Sequence, residues 1–229
     1  MLDLARLERR KRPRGTVLLC GVGRLGFRVF IQLVETHRGG PETIVCVDGQ
    51  EVEPDDVIHL RHGARVGENK AEFCARLGRA HPDRDVIAVP EFVREDGAES
   101  LVKRWKPDVV VIAIAGGRTT PVTARLARAG REAGATTVST GGVFGYGSED
   151  VRVLSLREAS GPVARELRSL GAPEDHLLVT TGRYIRDPDP LAPAVLDRVA
   201  HRLVEVTLRS LQGPEERRQR EQDRESGRR

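Results

Sequence analysis

The chain has 229 residues, 38% of them hydrophobic, 31% charged and 3% aromatic, and its formal net charge is +4. That length supports one well-filled core with appendages. Residues 1–14 carry six cations against Asp3 and Glu8, residues 213–229 carry six arginines against five acids, and the stretch between them sums to −1, which excludes a basic nucleic-acid surface on the body.

From Thr16 onward, short β-branched runs alternate with amphipathic stretches. This is the pattern of an α/β protein whose mostly parallel sheet carries helices on both faces. Strands are predicted at Thr16–Cys20, Thr43–Val47, Asp85–Val89, Asp108–Ala113 and Ala135–Ser139. Helices fit between them at Leu25–His37, Glu68–Ala80, Gly97–Lys106 and Pro121–Ala133, the last with Thr120 as N-cap and Pro121 at the first helical position. After Gly141 the rhythm changes to strands at Val151–Leu156 and His176–Thr181, a short helix at Pro162–Leu170 and a closing helix at Ala194–Leu211. The expected organisation is a basic arm over 1–14, one doubly wound Rossmann-like nucleotide-binding domain over 15–212 with a substrate-side extension from about residue 141, and a charged, solvated or disordered tail over 213–229.

The apolar runs near Val17–Cys20 and Val109–Ala115 are too short to span a bilayer, and the first fourteen residues lack a signal-peptide core. A cytoplasmic protein with neither a membrane nor a nucleic-acid partner is expected. Cys20, Cys46 and Cys74 form no CxxC pair and read as buried structural thiols.

Gly21-Val22-Gly23-Arg24-Leu25-Gly26 follows the first strand directly and opens a helix. Glycines there let the backbone turn tightly and approach a phosphate, while the helix N-terminus supplies free N–H groups. Gly21, Gly23, Arg24, Leu25 and Gly26 are therefore candidate nucleotide contacts. Asp48 ends the second strand, where a carboxylate can accept from ribose hydroxyls, and Gln50 follows it. Lys70 falls in the first turn of a predicted helix, where the macrodipole disfavours a cation. An anion shared between that N-terminus and the ammonium would resolve the conflict; a solvated lysine balanced by Glu68 and Glu72 is the alternative. His59 and His62 near Asp55 and Asp56 lack the second cluster that a metal site would need, so no protein metal ligand is assigned.

The ordered set of glycine loop, Asp48, Arg61 and Lys70, within roughly residues 16–145, resembles the ubiquitin-activating-type adenylating family of ThiF, MoeB and HesA relatives. The resemblance implies ATP as cofactor, Asp48 on its ribose, and Arg61 and Lys70 neutralising the triphosphate while a small-molecule carboxylate attacks the α-phosphorus. It also implies a homodimer in which an N-terminal arginine, one of Arg9, Arg10, Arg12 and Arg14, reaches the phosphates. The family's magnesium-binding aspartate is missing: this chain reads Ala113-Ile114-Ala115-Gly116-Gly117-Arg118-Thr119-Thr120, so Mg2+ is expected without its usual ligand. Residues 141–229 contain no cysteine, so an acyl-adenylate would pass to an external nucleophile, a downstream acyl-acceptor protein. The compact, cysteine-free format and the stretch Val34–Gly40 are similar to the methanogen branch of that family, which activates the guanylylpyridinol carboxylate in [Fe]-hydrogenase cofactor biosynthesis.

The crevice of a doubly wound sheet opens where strand order reverses, which places Gly21–Gly26 beside Gly116–Thr120. Gly116 and Gly117 are then further nucleotide contacts, and Arg118, Thr119 and Thr120 candidate substrate contacts. Phe144 and Tyr146 are offered as rings that could stack on a planar group. Two other classes remain open from the residues alone, an NAD-dependent oxidoreductase and a non-catalytic nucleotide-binding scaffold.

Overall fold

The computed structural model describes residues 11–115 and 119–212. Each β-branched run becomes a strand: β1 Thr16–Cys20, β2 Thr43–Val47, β3 Asp85–Val89, β4 Val109–Ile112, β5 Thr136–Thr140, β6 Arg152–Ser155 and β7 Leu177–Thr180. They form one sheet in the order β3-β2-β1-β4-β5-β7-β6, parallel throughout except that β6 runs antiparallel to β7. The helices are α1 Arg24–Val34, α2 Val57–Arg61, α3 Lys70–Gly78, α4 Ala98–Trp105, α5 Thr120–Glu132, α6 Pro162–Ser169 and α7 Pro193–Ser210.

Both faces of the central strands are apolar, as a sheet covered on two sides requires. Val17 and Leu19 of β1 pack with α1, α3 and α7, while Leu18 and Cys20 pack with α4 and α5 on the opposite face. A smaller cluster around Leu156, Leu167 and Leu178 seats α6. All three cysteines are free and buried. Among the described residues no helix is long and apolar enough to cross a membrane.

Element ends depart from the expectations where side chains decide them. The helix expected from Glu68 starts at Lys70, because the Asn69 side chain accepts from the Ala71 and Glu72 N–H groups. Thr119, rather than Thr120, is the N-cap position of α5. The helix expected to run to His37 ends at Val34, and the loop after it is gripped by the buried Arg84 guanidinium, which donates to the carbonyls of Thr36, Gly39 and Pro41. Lys106 stops α4 with a left-handed φ of 44°. The five-residue α2 is not among the helices predicted from the sequence.

Candidate active site

Strand order reverses between β1 and β4, and the chain leaving β1 turns there into α1. Gly21 has φ +86°, and a Cβ on it would lie 2.8 Å from the Ala113 carbonyl oxygen just past β4. A Cβ on Gly26 would overlap the Gly21 carbonyl oxygen. The turn itself needs these two glycines. Gly23 differs, since a Cβ there meets no protein atom within 4 Å. It is the N-cap of α1, whose first turn carries no acid, so free N–H groups and an unobstructed approach coincide.

Val22, between Gly21 and Gly23, is held on both of its polar groups. Its N–H donates to Asp48 Oδ2 at 2.8 Å, and the Nε2–H of His59 donates to its carbonyl at 2.8 Å. Asp48 Oδ1 accepts the Gln50 N–H at 2.9 Å. The same Asn69 that caps α3 donates through Nδ2 to the carbonyls of Asp48 (3.0 Å) and Gln50 (3.3 Å), tying the start of the helix to the end of β2.

That tie delivers Lys70, whose Nζ lies 2.9 Å from Asp56 Oδ2 and 3.2 Å from Gln50 Oε1. Lys70 and Asp56 are both about 5% exposed. The macrodipole conflict at Lys70 is met in this structure by a buried carboxylate, which corrects the solvated-lysine alternative; Glu68 is engaged with Arg76 instead. Burial pushes the Asp56 carboxyl up, but the Glu53 N–H and the Lys70 ammonium more than offset it and hold the group below the usual carboxylate range. His59 is held below its ordinary value, first by burial, with Lys70 adding to the effect and Val22 and Asp56 opposing it.

Asp48, Gln50, Asp56 and Lys70 line a cavity of about 540 Å³. Gly21, Gly23, Arg24, Leu25, Asp48, Gln50, Asp56 and Lys70 form one wall, and Phe92, Val93, Ile114 and Val122 form an apolar wall opposite. Thr119 lies at the boundary with a second cavity of about 440 Å³, which Thr120 and Phe144 also line. A larger cavity, of about 600 Å³, opens beyond Phe92 but contains neither the glycine loop nor Lys70.

The sequence-predicted residues thus separate. Gly26 sits beneath the loop as a packing position rather than on the cavity wall. Arg61 ends α2 exposed and does not line the cavity. Tyr146 is two-thirds exposed and lines neither cavity. Gly116, Gly117 and Arg118, with Arg9 and Arg10, lie outside the described residues. Sequence reasoning missed Asp56 as the partner of Lys70, His59 as a support of the loop, and Phe92. An Asn69-x-x-Glu72 pattern, the signature of a helix start, was available to place Lys70 at the head of its helix.

No protein-family model matches the chain. A guanylylpyridinol- and ATP-bound structure of HcgE from Methanothermobacter marburgensis superposes with a TM-score of 0.83 at 44% identity, covering 88% of this chain and 97% of that one. The chain belongs to the HcgE family of ThiF/MoeB-type adenylating enzymes. An uncharacterized protein of Methanocaldococcus jannaschii, MJ0693, is 37% identical over 211 residues, which is 92% of this chain and 82% of that protein. The E. coli tRNA N6-threonylcarbamoyladenosine dehydratase TcdA, solved with AMP, matches at TM-score 0.70 and 24% identity over 86% of each chain, and shares the fold. In this HcgE-family chain the glycine loop, Asp48 and Lys70 converge on one cavity at the switch point of the sheet.

Proposed function

We propose that this HcgE-family chain adenylates the carboxylate of a guanylylpyridinol-type substrate with ATP and releases pyrophosphate. The observation that carries the reading is the 44% identity across 97% of HcgE, whose structure holds guanylylpyridinol and ATP. The first cavity accommodates ATP. Its phosphates lie on the open side of Gly23 and the N-terminus of α1, its ribose is held by the Asp48 carboxylate, and Lys70 carries the charge that balances the leaving pyrophosphate. The second cavity shares Ile114, Ala115, Thr119, Thr140 and Val143 with the first and receives the acyl substrate, with Phe144 against the planar ring.

One substrate carboxylate oxygen attacks the α-phosphorus, the bond from that phosphorus to the bridging oxygen breaks, and pyrophosphate departs. The protein's contribution is to hold the two reactants in line and to stabilise charge. Among the described residues no group of three or more His, Cys, Asp and Glu is arranged to hold a metal ion. Mg2+ brought with ATP would counter the charge on its phosphates. The acyl-adenylate, with no cysteine after Cys74 to receive it, passes to a separate acyl-acceptor protein in the cytoplasm.

The family resemblance and the start of the arm support a homodimer. Residues 11–14 pair with Gly39 and Gly40, at the edge of the sheet where β2 begins and opposite the cavity. An arginine from the arm that reaches phosphates would reach those of a second copy.

Exchange of labelled pyrophosphate into ATP, measured with and without guanylylpyridinol, tests this function. The substrate should be required, and Lys70→Ala should lower exchange by about 10²-fold or more. Arg61→Ala should lower it less, because that side chain lies outside the cavity wall. Exchange indifferent to both the substrate and Lys70 would overturn the reading.

A further inference from the structure

His59 is fully buried, and its ring packs at a tilt of 33° to that of Phe27, with centroids 4.5 Å apart. The Val22 carbonyl can only accept, so the imidazole proton is assigned to Nε2. Nδ1 then carries a lone pair. It is buried, has no hydrogen-bond partner and lies 3.9 Å from Asp56 Oδ1. An orphaned acceptor beside a carboxylate is an unfavourable arrangement that one proton would convert into an ion pair.

The charged and titratable groups facing this ring come from three elements: Asp56 at the head of its own helix, Asp48 from the end of β2, and Lys70 from the start of α3. His62 lies on the edge of the same Phe27 ring, and Phe73 closes the remaining side. With Lys70 seated on Asp56, the buried carboxylate is already neutralised and His59 has no reason to charge. That balance is conditional on Lys70 staying there. Its ammonium also lines the cavity, and phosphates bound on the glycine loop compete with Asp56 for it. A buried carboxylate deprived of its cation requires another.

We propose that ATP binding draws Lys70 away from Asp56 and that His59 takes up a solvent proton at Nδ1 to replace it, so that nucleotide binding is coupled to proton uptake by a His59–Asp56 pair. This inference rests on the adenylation reading above. The Nε2–H stays on Val22 in both states, so the glycine loop keeps its shape while the counter-charge of Asp56 changes identity. His59 is a positioning residue that keeps the loop and Asp56 in place. Because the bound state holds the additional proton, ATP affinity weakens as pH rises through the range in which the bound imidazolium deprotonates.

Calorimetric titration of the full chain with MgATP at about pH 7, in buffers of different protonation enthalpy, reads the protons taken up per ATP. His59→Gln retains an amide N–H for the Val22 carbonyl but cannot titrate, and the ionisation of ATP itself cancels between the two proteins. The wild type should take up as much as about one proton more than the variant, and its ATP affinity should depend more steeply on pH between about 6 and 8. Asp56→Asn serves the same comparison if His59→Gln does not fold, and should also abolish the excess. Nitrogen NMR of the six histidines should show one imidazole becoming imidazolium on ATP addition. Equal uptake in wild type and variants that all bind ATP would overturn the coupling and leave adenylation standing. Failure of the wild type to bind ATP would overturn both.

Discussion

The residues with the least freedom lie beneath the loop and at the far side of the sheet. Gly26→Ala would drive a methyl group into the Gly21 carbonyl, a backbone group that the turn holds in place. We expect a loss of about 2–4 kcal/mol in urea unfolding, together with weaker ATP binding, because the displaced atoms form the phosphate turn. His176 is a second case. It is buried between β5 and β7, with Nδ1 2.8 Å from Thr137 Oγ1 and Nε2 2.8 Å from Ser139 Oγ, and burial lowers it to about 4. The unfolded chain, with an ordinary histidine, binds more protons between about pH 4 and 6.5, so stability rises with pH across that window and is lost on acidification. The full contribution is about 3 kcal/mol. Urea midpoints at stepped pH should show a slope in wild type that is reduced in His176→Gln; parallel slopes would remove His176 from the account. The tight turn at Gly26 was legible in the sequence, but the role of His176 was not. His176 and Ser139 are far apart in the chain, and only the pairing of β5 with β7 brings them together.

Among the elements, strands were easier to read than helix ends. Runs such as Val109–Ile112 are apolar on both faces because the sheet is covered on both sides, and that burial is written into consecutive residues. Helix ends depend on single side chains. Asn69 moves the start of α3 by two residues and places Lys70 at its head. Asn69→Ala should cost about 1–2 kcal/mol as a lost cap and should also weaken ATP binding, since Asn69 anchors α3 to the carbonyls of Asp48 and Gln50. Thermal melts and calorimetry separate the two effects. Arg84 has the corresponding role at the opposite edge. Its guanidinium serves three carbonyls at once, which a lysine ammonium on a single stem does not reproduce, so Arg84→Lys should lose much of the same stability as Arg84→Met, about 2–4 kcal/mol in urea unfolding.

For the molecule as a whole, binding and stability are linked. ATP at about 100 times its dissociation constant should stabilise the chain by about 2.7 kcal/mol, roughly 5–10 °C in melting temperature at this size, while NADH should leave it unchanged. A shift with NADH and none with ATP would return the chain to the oxidoreductase reading. The sequence by itself determined the order of strands and helices, the glycine loop at the first strand-to-helix junction, the location of net charge at the two ends, and the family resemblance through Asp48 and Lys70. All of these are written in residues close together in the chain or in periodic burial along one element. Only the tertiary structure decided that Lys70 is paired with Asp56, that His59 supports Val22, that Arg61 stands outside the cavity, and that a second cavity adjoins the first. Those facts depend on distances between elements. A charge finds its partner across a fold by proximity at burial, and no local spacing records which carboxylate will be there.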